Sequence, residues 1–199
     1  MTNLPVTGSF TITAVFGQSG KYWKNGHKGI DFVAENKNVY CTCDGVVRVV
    51  GFDKNGWGNY VSVGDGFGRK HIFCHLDKVL VKEGEKLSRT SVIGIMGATG
   101  NVSGLHLHYQ INDGNNIPVD PSGYMGLENK KGSYNSKEFN AMAYNDQHKI
   151  SDWAKKSVAR VTELGLMVGD ENGNFNPEKN ITRQEVAAVI SRLVDIVKE

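Results

Sequence analysis

Residues 6–124 read as a succession of short β-branched or alternating runs, among them Gly45-Val-Val-Arg-Val-Val50, Tyr60-Val-Ser-Val63 and Leu105-His-Leu-His-Tyr-Gln-Ile111, each bounded by Gly, Asn or Asp. That period, broken so often by turn residues, predicts a mainly β domain with an antiparallel sheet. The 24 glycines against 4 prolines fit many tight turns and close backbone approaches better than a helical bundle. At about 150 residues per domain, 199 residues allow one full domain and a small appendage. Hydrophobic residues at 39% and charged residues at 22% exclude long disorder and membrane-spanning classes. A net charge of +2 gives no field for nucleic acid or for an anionic membrane, so neither a nucleic-acid partner nor membrane insertion is expected.

Residues 1–10 lack a basic stretch followed by an apolar one, so the expectation is a chain synthesised in the cytoplasm without a signal peptide. Cys41, Cys43 and Cys74 are an odd count, which favours buried inert thiols over a disulfide framework. A thiolate metal site on Cys41-x-Cys43 would want more soft ligands than the chain offers.

From Gly126 to Lys149 the text turns polar and loses its period, which is linker composition. The expected domains are therefore 1–125, a linker over 126–149, and a helical unit over 150–199. In the last, Ala154, Val158, Val161 and Leu164 recur at helical spacing, with Gly165 as a stop. Thr182-Arg-Gln-Glu185 is a capping box, flanked by Ile181 and Val186 as a staple. Val186, Val189, Ile190, Leu193 and Val197 then predict a buried stripe on a second helix. A helix-loop-helix unit of about fifty residues is marginal alone and is expected to rely on partners.

Five of the six histidines, His27, His71, His75, His106 and His108, fall in the β domain. His27-Lys-Gly-Ile-Asp31 supplies an imidazole and a carboxylate, and in His106-Leu-His108 the period of two puts both rings on one strand face. Leu105, Leu107, Tyr109 and Ile111 are left for the core face. A zinc held by two imidazoles and one carboxylate keeps an open position for water, the hydrolytic arrangement. His71 shares a face with His75 by alternation and is read as a non-ligand.

His27-Lys-Gly-Ile-Asp31-Phe, Cys74-His-Leu76 and Gly97-Ala-Thr-Gly100 running into Gly104-Leu-His-Leu-His108-Tyr resemble the lysostaphin-type zinc endopeptidases that cut peptidoglycan peptides. Asp44-Gly-Val-Val, Gly58-Asn-Tyr-Val, Val81-Lys-Glu-Gly84, Val92-Ile-Gly and Pro118-Val-Asp-Pro121 extend the resemblance, which spans residues 16–124. It implies His27, Asp31 and His108 as zinc ligands and His75 and His106 as an unligated catalytic pair. Cys74 stands where the family usually has Ala, His71 where it often has Thr, and Gln110 where Glu is common; none removes a ligand or catalytic position. One of His75 and His106 would take a proton from water and the other would hydrogen-bond the developing oxyanion.

Ser151-Asp-Trp-Ala154, Leu164-Gly-Leu166, Asn172-Gly-Asn-Phe-Asn-Pro177 and Ile181-Thr-Arg-Gln-Glu185 resemble one S-layer homology motif. The resemblance implies that Trp153, Thr182, Arg183 and Glu185 hold secondary cell-wall polysaccharide, with Arg183 suited to an anionic sugar substituent. A calcium loop at Asp170-Glu-Asn-Gly-Asn174 fails because Ile181 stands where a bidentate Glu is needed. Such motifs usually come in threes, and a single copy hints that several chains assemble. The whole resembles a bacteriophage endolysin acting at the bacterial cell wall. The competing reading is a non-catalytic wall-binding or hydrolase-activating protein of the same fold, against which stand the intact His27, Asp31, His75, His106 and His108.

Overall fold

The structure is a computed structural model and describes residues 3–21, 23–136, 144–163, 166–167, 169–170 and 173–198. Two compact units separate between Glu138 and Phe139. The first is built from β1 (Ser9–Ala14), β2 (Ile30–Ala34), β3 (Asn38–Tyr40), β4 (Gly45–Asp53), β5 (Gly58–Asp65), β6 (Lys70–Val79), β7 (Lys86–Leu87), β8 (Val92–Met96), β9 (Leu107–Asn112), β10 (Pro118–Val119), a single helical turn α1 (Ser122–Met125) and β11 (Gly132–Asn135). Every strand pairing described is antiparallel, with β11-β1-β2-β9-β6-β5-β4-β7 as the main path, as the alternating runs predict.

The central strands β6 and β9 are buried on both faces. The expectation of one core face on β9 is therefore half right. Leu107, Tyr109 and Ile111 are buried, but so are His108, Gln110 and Asn112, whereas Leu105, outside the strand, is 42% exposed. Polar groups on a doubly covered strand must find partners, and here they line the site described below. Cys41, Cys43 and Cys74 are free and buried, as expected.

β6 changes partners along its length. It pairs with β9 from Lys70↔Asn112 to Cys74↔His108, then with β8 from Leu76↔Met96 onward. His75 sits at the joint with φ 63°, a left-handed backbone that a residue with a Cβ adopts only when its surroundings impose it. Its amide is held by the Trp57 carbonyl at 2.8 Å.

The stretch expected to be linker is in its first half part of this sheet. Four residues of β11 pair with β1, and the Tyr134 ring stacks on Phe10 at 5.7 Å. The Gly8 amide donates to Ser136 Oγ and the Ser136 amide to the Gly8 carbonyl, and the Asn129 side chain clasps the Phe16 backbone from both ends at 3.0 Å. Polar composition misled because a short edge strand with one aromatic needs little apolar sequence. Residues 137–143 of the expected linker lie outside the described residues.

In the second unit, a 3-10 turn (Gln147–Lys149) precedes α2 (Asp152–Glu163), and a loop leads to α3 (Arg183–Lys198). Tyr144, Ile150 and Val158 form a small core joined by Ala154 and Phe175. The expected stop at Leu164 and Gly165 lies outside the described residues. The capping box forms as predicted: the Thr182 amide donates to Glu185 Oε2 at 2.7 Å, and the Glu185 amide donates to Thr182 Oγ1 at 3.2 Å. The stripe of α3 departs from expectation. Val186, Ile190 and Leu193 are exposed rather than buried, Val189 is half-buried beside a cleft of about 360 Å³ between the helix and the loop, and the side chain of Val197 lies outside the described ones; a unit this small offers few apolar groups to cover the stripe. Ile181, the other half of the expected staple, is 51% exposed. In the loop, Asp170 accepts from the Asn174 amide and the Asn176 side chain, so its carboxylate is already satisfied.

The fold assigns residues 126–138 to the first unit, so a chain cut after residue 125 should be less stable than one cut after residue 138. Losing buried Leu127 and the Tyr134–Phe10 stack should cost about 3 kcal/mol, read as a lower denaturant midpoint. Equal midpoints would return residues 126–138 to the status of linker.

Candidate metal centre

His27 lies just before β2, its backbone pinned by hydrogen bonds to Gly17 and Gln18, and Asp31 is on β2 directly opposite His108 on β9. Local pinning and strand register thus bring three buried groups to one point. His27 Nε2 lies 3.0 Å from His108 Nδ1 and 3.1 Å from Asp31 Oδ1, and His108 Nδ1 lies 2.9 Å from the same oxygen.

The outward-facing nitrogens decide what these atoms are. His27 Nδ1 meets the Val15 carbonyl at 3.1 Å, and a carbonyl only accepts, so Nδ1 carries the proton and Nε2 presents a lone pair. His108 Nε2 meets Gln110 Oε1 at 3.4 Å, which leaves Nδ1 bare toward Asp31. Two lone pairs and a carboxylate therefore face one another with no proton between them. A divalent cation resolves that conflict, and two nitrogens with one oxygen suit zinc. The donor separations are a few tenths of an ångström below the roughly 3.3 Å edge of a tetrahedron with bonds of about 2.05 Å. Among the described residues no other His, Cys, Asp or Glu joins this group, so a fourth corner stays open.

His75 and His106 flank the group. Their ring centroids are 4.8 Å apart, His75 is 6.0 Å from the His108 ring, and His106 Nε2 is 3.8 Å from Asp31 Oδ2. Each has its Nδ1 occupied by a carbonyl, Thr99 for His75 at 3.0 Å and Gly104 for His106 at 2.9 Å, so in both rings Nε2 is left clear of that contact. Burial and the nearby His106 push the His75 imidazole down to about 4, so it is neutral at pH 7.

Sequence alternation placed His75 beside His71, and the structure separates them. The positive φ at the strand joint turns His75 toward His106, while His71 stays with Tyr109, which points opposite to His108 on β9. There the His71 Nδ1 receives the Tyr109 hydroxyl at 2.8 Å and Nε2 donates to Asp65 at 3.3 Å. His71 is fully buried and belongs to a core network.

Sequence reading also passed over several positioning residues. A Cβ on Gly29 would overlap the Tyr109 carbonyl oxygen and approach His108 Cε1 to 2.8 Å, so only glycine lets the imidazole reach its seat. Gly58 and Gly100 take positive φ and pack backbone against backbone beside Thr99, the residue that orients His75. The quoted Gly58-Asn-Tyr-Val and Gly97-Ala-Thr-Gly100 segments carried that signal. On the second unit Trp153 is 85% exposed on α2, Arg183 is exposed in the first turn of α3, and Thr182 and Glu185 are joined in the cap.

The buried network gives a pH prediction. Burial lowers the His71 pKa, so unfolded His71 takes a proton near 6.5 while the folded one refuses it, and stability falls as pH drops below about 6.5. Burial pushes the Asp65 carboxyl up, but hydrogen bonds from His71 and Arg69 dominate and hold it low, so its contribution is lost only below about pH 4. His71→Gln should reduce the upper slope by at most about 1.4 kcal/mol per pH unit, leaving the share that the likewise lowered His75 contributes, and keep the lower slope. Chemical denaturation between pH 3 and 8, at matched zinc, measures both; an unchanged slope between pH 5 and 6.5 would contradict the assignment.

Comparison with known proteins matches residues 25–121 to Peptidase family M23 and residues 143–187 to the S-layer homology domain. The peptidoglycan DD-endopeptidase ShyA of Vibrio cholerae is 43% identical over 86 residues, 43% of this chain and 20% of that protein. A zinc-containing peptidase from Vibrio cholerae superposes with a TM-score of 0.54 at 34% identity, covering 60% of this chain and 38% of that one. The catalytic domain of the antimicrobial peptidase lysostaphin from Staphylococcus simulans gives 0.53 at 26% identity, covering 56% and 89%. The chain thus spans a fifth of the length of ShyA. It joins a domain of peptidase family M23, residues 25–121, to an S-layer homology domain, residues 143–187.

Proposed function

We propose that this chain is a zinc metalloendopeptidase that hydrolyses peptide or cross-bridge bonds of bacterial peptidoglycan and is held at the wall by its C-terminal unit. The observation that carries the reading is the meeting of the His27, Asp31 and His108 acceptors under two further imidazoles. These three residues would hold the metal. Zinc, when bound there, supplies a Lewis acid that polarises a carbonyl and brings the pKa of water toward about 7.

The protein's own groups manage the protons. His75 and His106 each keep Nε2 for the reaction, their Nδ1 atoms being fixed by the carbonyls of Thr99 and Gly104. One Nε2 accepts the proton of the attacking water, and the other, protonated, donates to the oxyanion that develops on the scissile carbonyl. The proton gained at the first Nε2 then passes to the leaving amine. No covalent intermediate is needed.

The second unit supplies attachment. Thr182 and Glu185 spend their polar groups on the helix cap, so exposed Arg183 and Trp153 make the contact with wall polysaccharide, Arg183 through its planar fork. A catalytic unit followed by a binding unit is the order that supports an endolysin-type lytic enzyme of bacteriophage.

His108→Ala should lose zinc and peptide hydrolysis together, whereas His106→Ala should keep one zinc and lose about 10²- to 10⁴-fold in turnover. Metal analysis and turnover of a soluble peptide measure both. Zinc loss in the His106 variant, or near-normal turnover, would reverse the division of roles.

Residues 1–138 and the Arg183→Ala full chain should turn over a soluble peptide normally yet co-sediment less with purified walls. Equal co-sedimentation of these and the parent would reject the targeting role.

A further inference from the structure

The tautomer of His108 is set from outside the metal site by a chain of amides along one face of β9. We infer that Gln110 and Asn112 are positioning residues that carry the hydrogen-bond polarity of the Asn116 turn to His108 and keep its Nδ1 open for metal. This rests on the metal reading above. Gln110 and Asn112 are 4% and 5% exposed, and their side chains share a face with His108 through the period of two.

The polarity follows link by link. The Asn112 side chain meets two oxygens of Asn116, the backbone carbonyl at 3.4 Å and Oδ1 at 3.3 Å. The first can only accept, and the second is fixed as an oxygen because Lys70 Nζ donates to it at 3.2 Å. Asn112 therefore turns its NH₂ toward Asn116 and its Oδ1 toward Gln110. The Gln110 atom 2.6 Å from that oxygen must be the donor Nε2. Its Oε1 is then left for His108, so the His108 proton belongs on Nε2 and the Nδ1 lone pair faces Asp31.

The alternative shows what is gained. With the chain reversed, Nδ1 would carry the proton and donate it to Asp31 2.9 Å away, and the site would close on itself as a buried His–Asp hydrogen bond. Glutamate at 110 would still accept from His108 but could not donate to Asn112. It would force the Asn112 amide to reverse against the Asn116 carbonyl.

The test measures zinc dissociation constants by competition with a chromophoric chelator at one pH, with denaturant midpoints on the same samples. Gln110→Leu, which keeps volume and removes the acceptor, should weaken zinc binding about 10- to 100-fold, and Asn112→Leu several-fold. The double variant should bind no more weakly than Gln110→Leu, because both break one chain. Gln110→Glu should lose stability yet keep zinc within about threefold of the parent. A residue that merely packs would not separate the two readouts. Additive losses in the double variant, zinc loss in Gln110→Glu equal to that in Gln110→Leu, or affinities of Gln110→Leu and Asn112→Leu within twofold of a zinc-binding parent would overturn the relay alone. A parent that binds no zinc would overturn the metal reading and the relay with it.

Discussion

Two imidazole lone pairs and a carboxylate cannot share one buried point without a cation among them, and much of the first unit is arranged to impose that conflict. The register of β2 on β9 sets Asp31 across from His108, and hydrogen bonds to Gly17 and Gln18 bring His27 over both. Each imidazole is then turned by a partner on its far side, the Val15 carbonyl for His27 and the Gln110 amide for His108. Such outward partners decide which nitrogen is bare, and so whether three groups make a metal site or a hydrogen-bonded cluster.

Backbone irregularity does the rest. Where β6 leaves β9 and takes up β8, the strand alternation fails and His75, at φ 63°, is brought to His106 and His108. Thr99 can reach His75 only because Gly58 and Gly100 let two loops meet backbone to backbone. The strain at one residue and the absence of Cβ atoms at two others therefore serve the same nitrogen, His75 Nε2.

Elements with strong local signals were legible in the sequence. The alternating strands, the buried thiols and the Thr182–Glu185 cap depend on residues close in the chain, and all three formed as read. His71 was read from a period of two that holds through Cys74 and breaks at His75, a break set by which neighbour β6 finds in space. The edge strand at Gly132–Asn135 escaped because its stability comes from β1, more than a hundred residues away. On α3 the apolar residues are periodic, yet Val186, Ile190 and Leu193 stay exposed, since a period tells which side of a helix is apolar and not whether anything covers it. Gly29 and Asn112 matter through contacts with His108 and Gln110 that no spacing rule contains.

The central claim is that His27, Asp31 and His108 form a nitrogen- and oxygen-only zinc site with one open corner. X-ray absorption at the zinc edge of the purified chain tests it most directly. The account predicts one zinc per chain with four light-atom neighbours at about 2.0–2.1 Å, two of them showing imidazole scattering and one exchangeable. A sulfur neighbour near about 2.3 Å, three imidazoles, or a closed four-residue protein shell would contradict it.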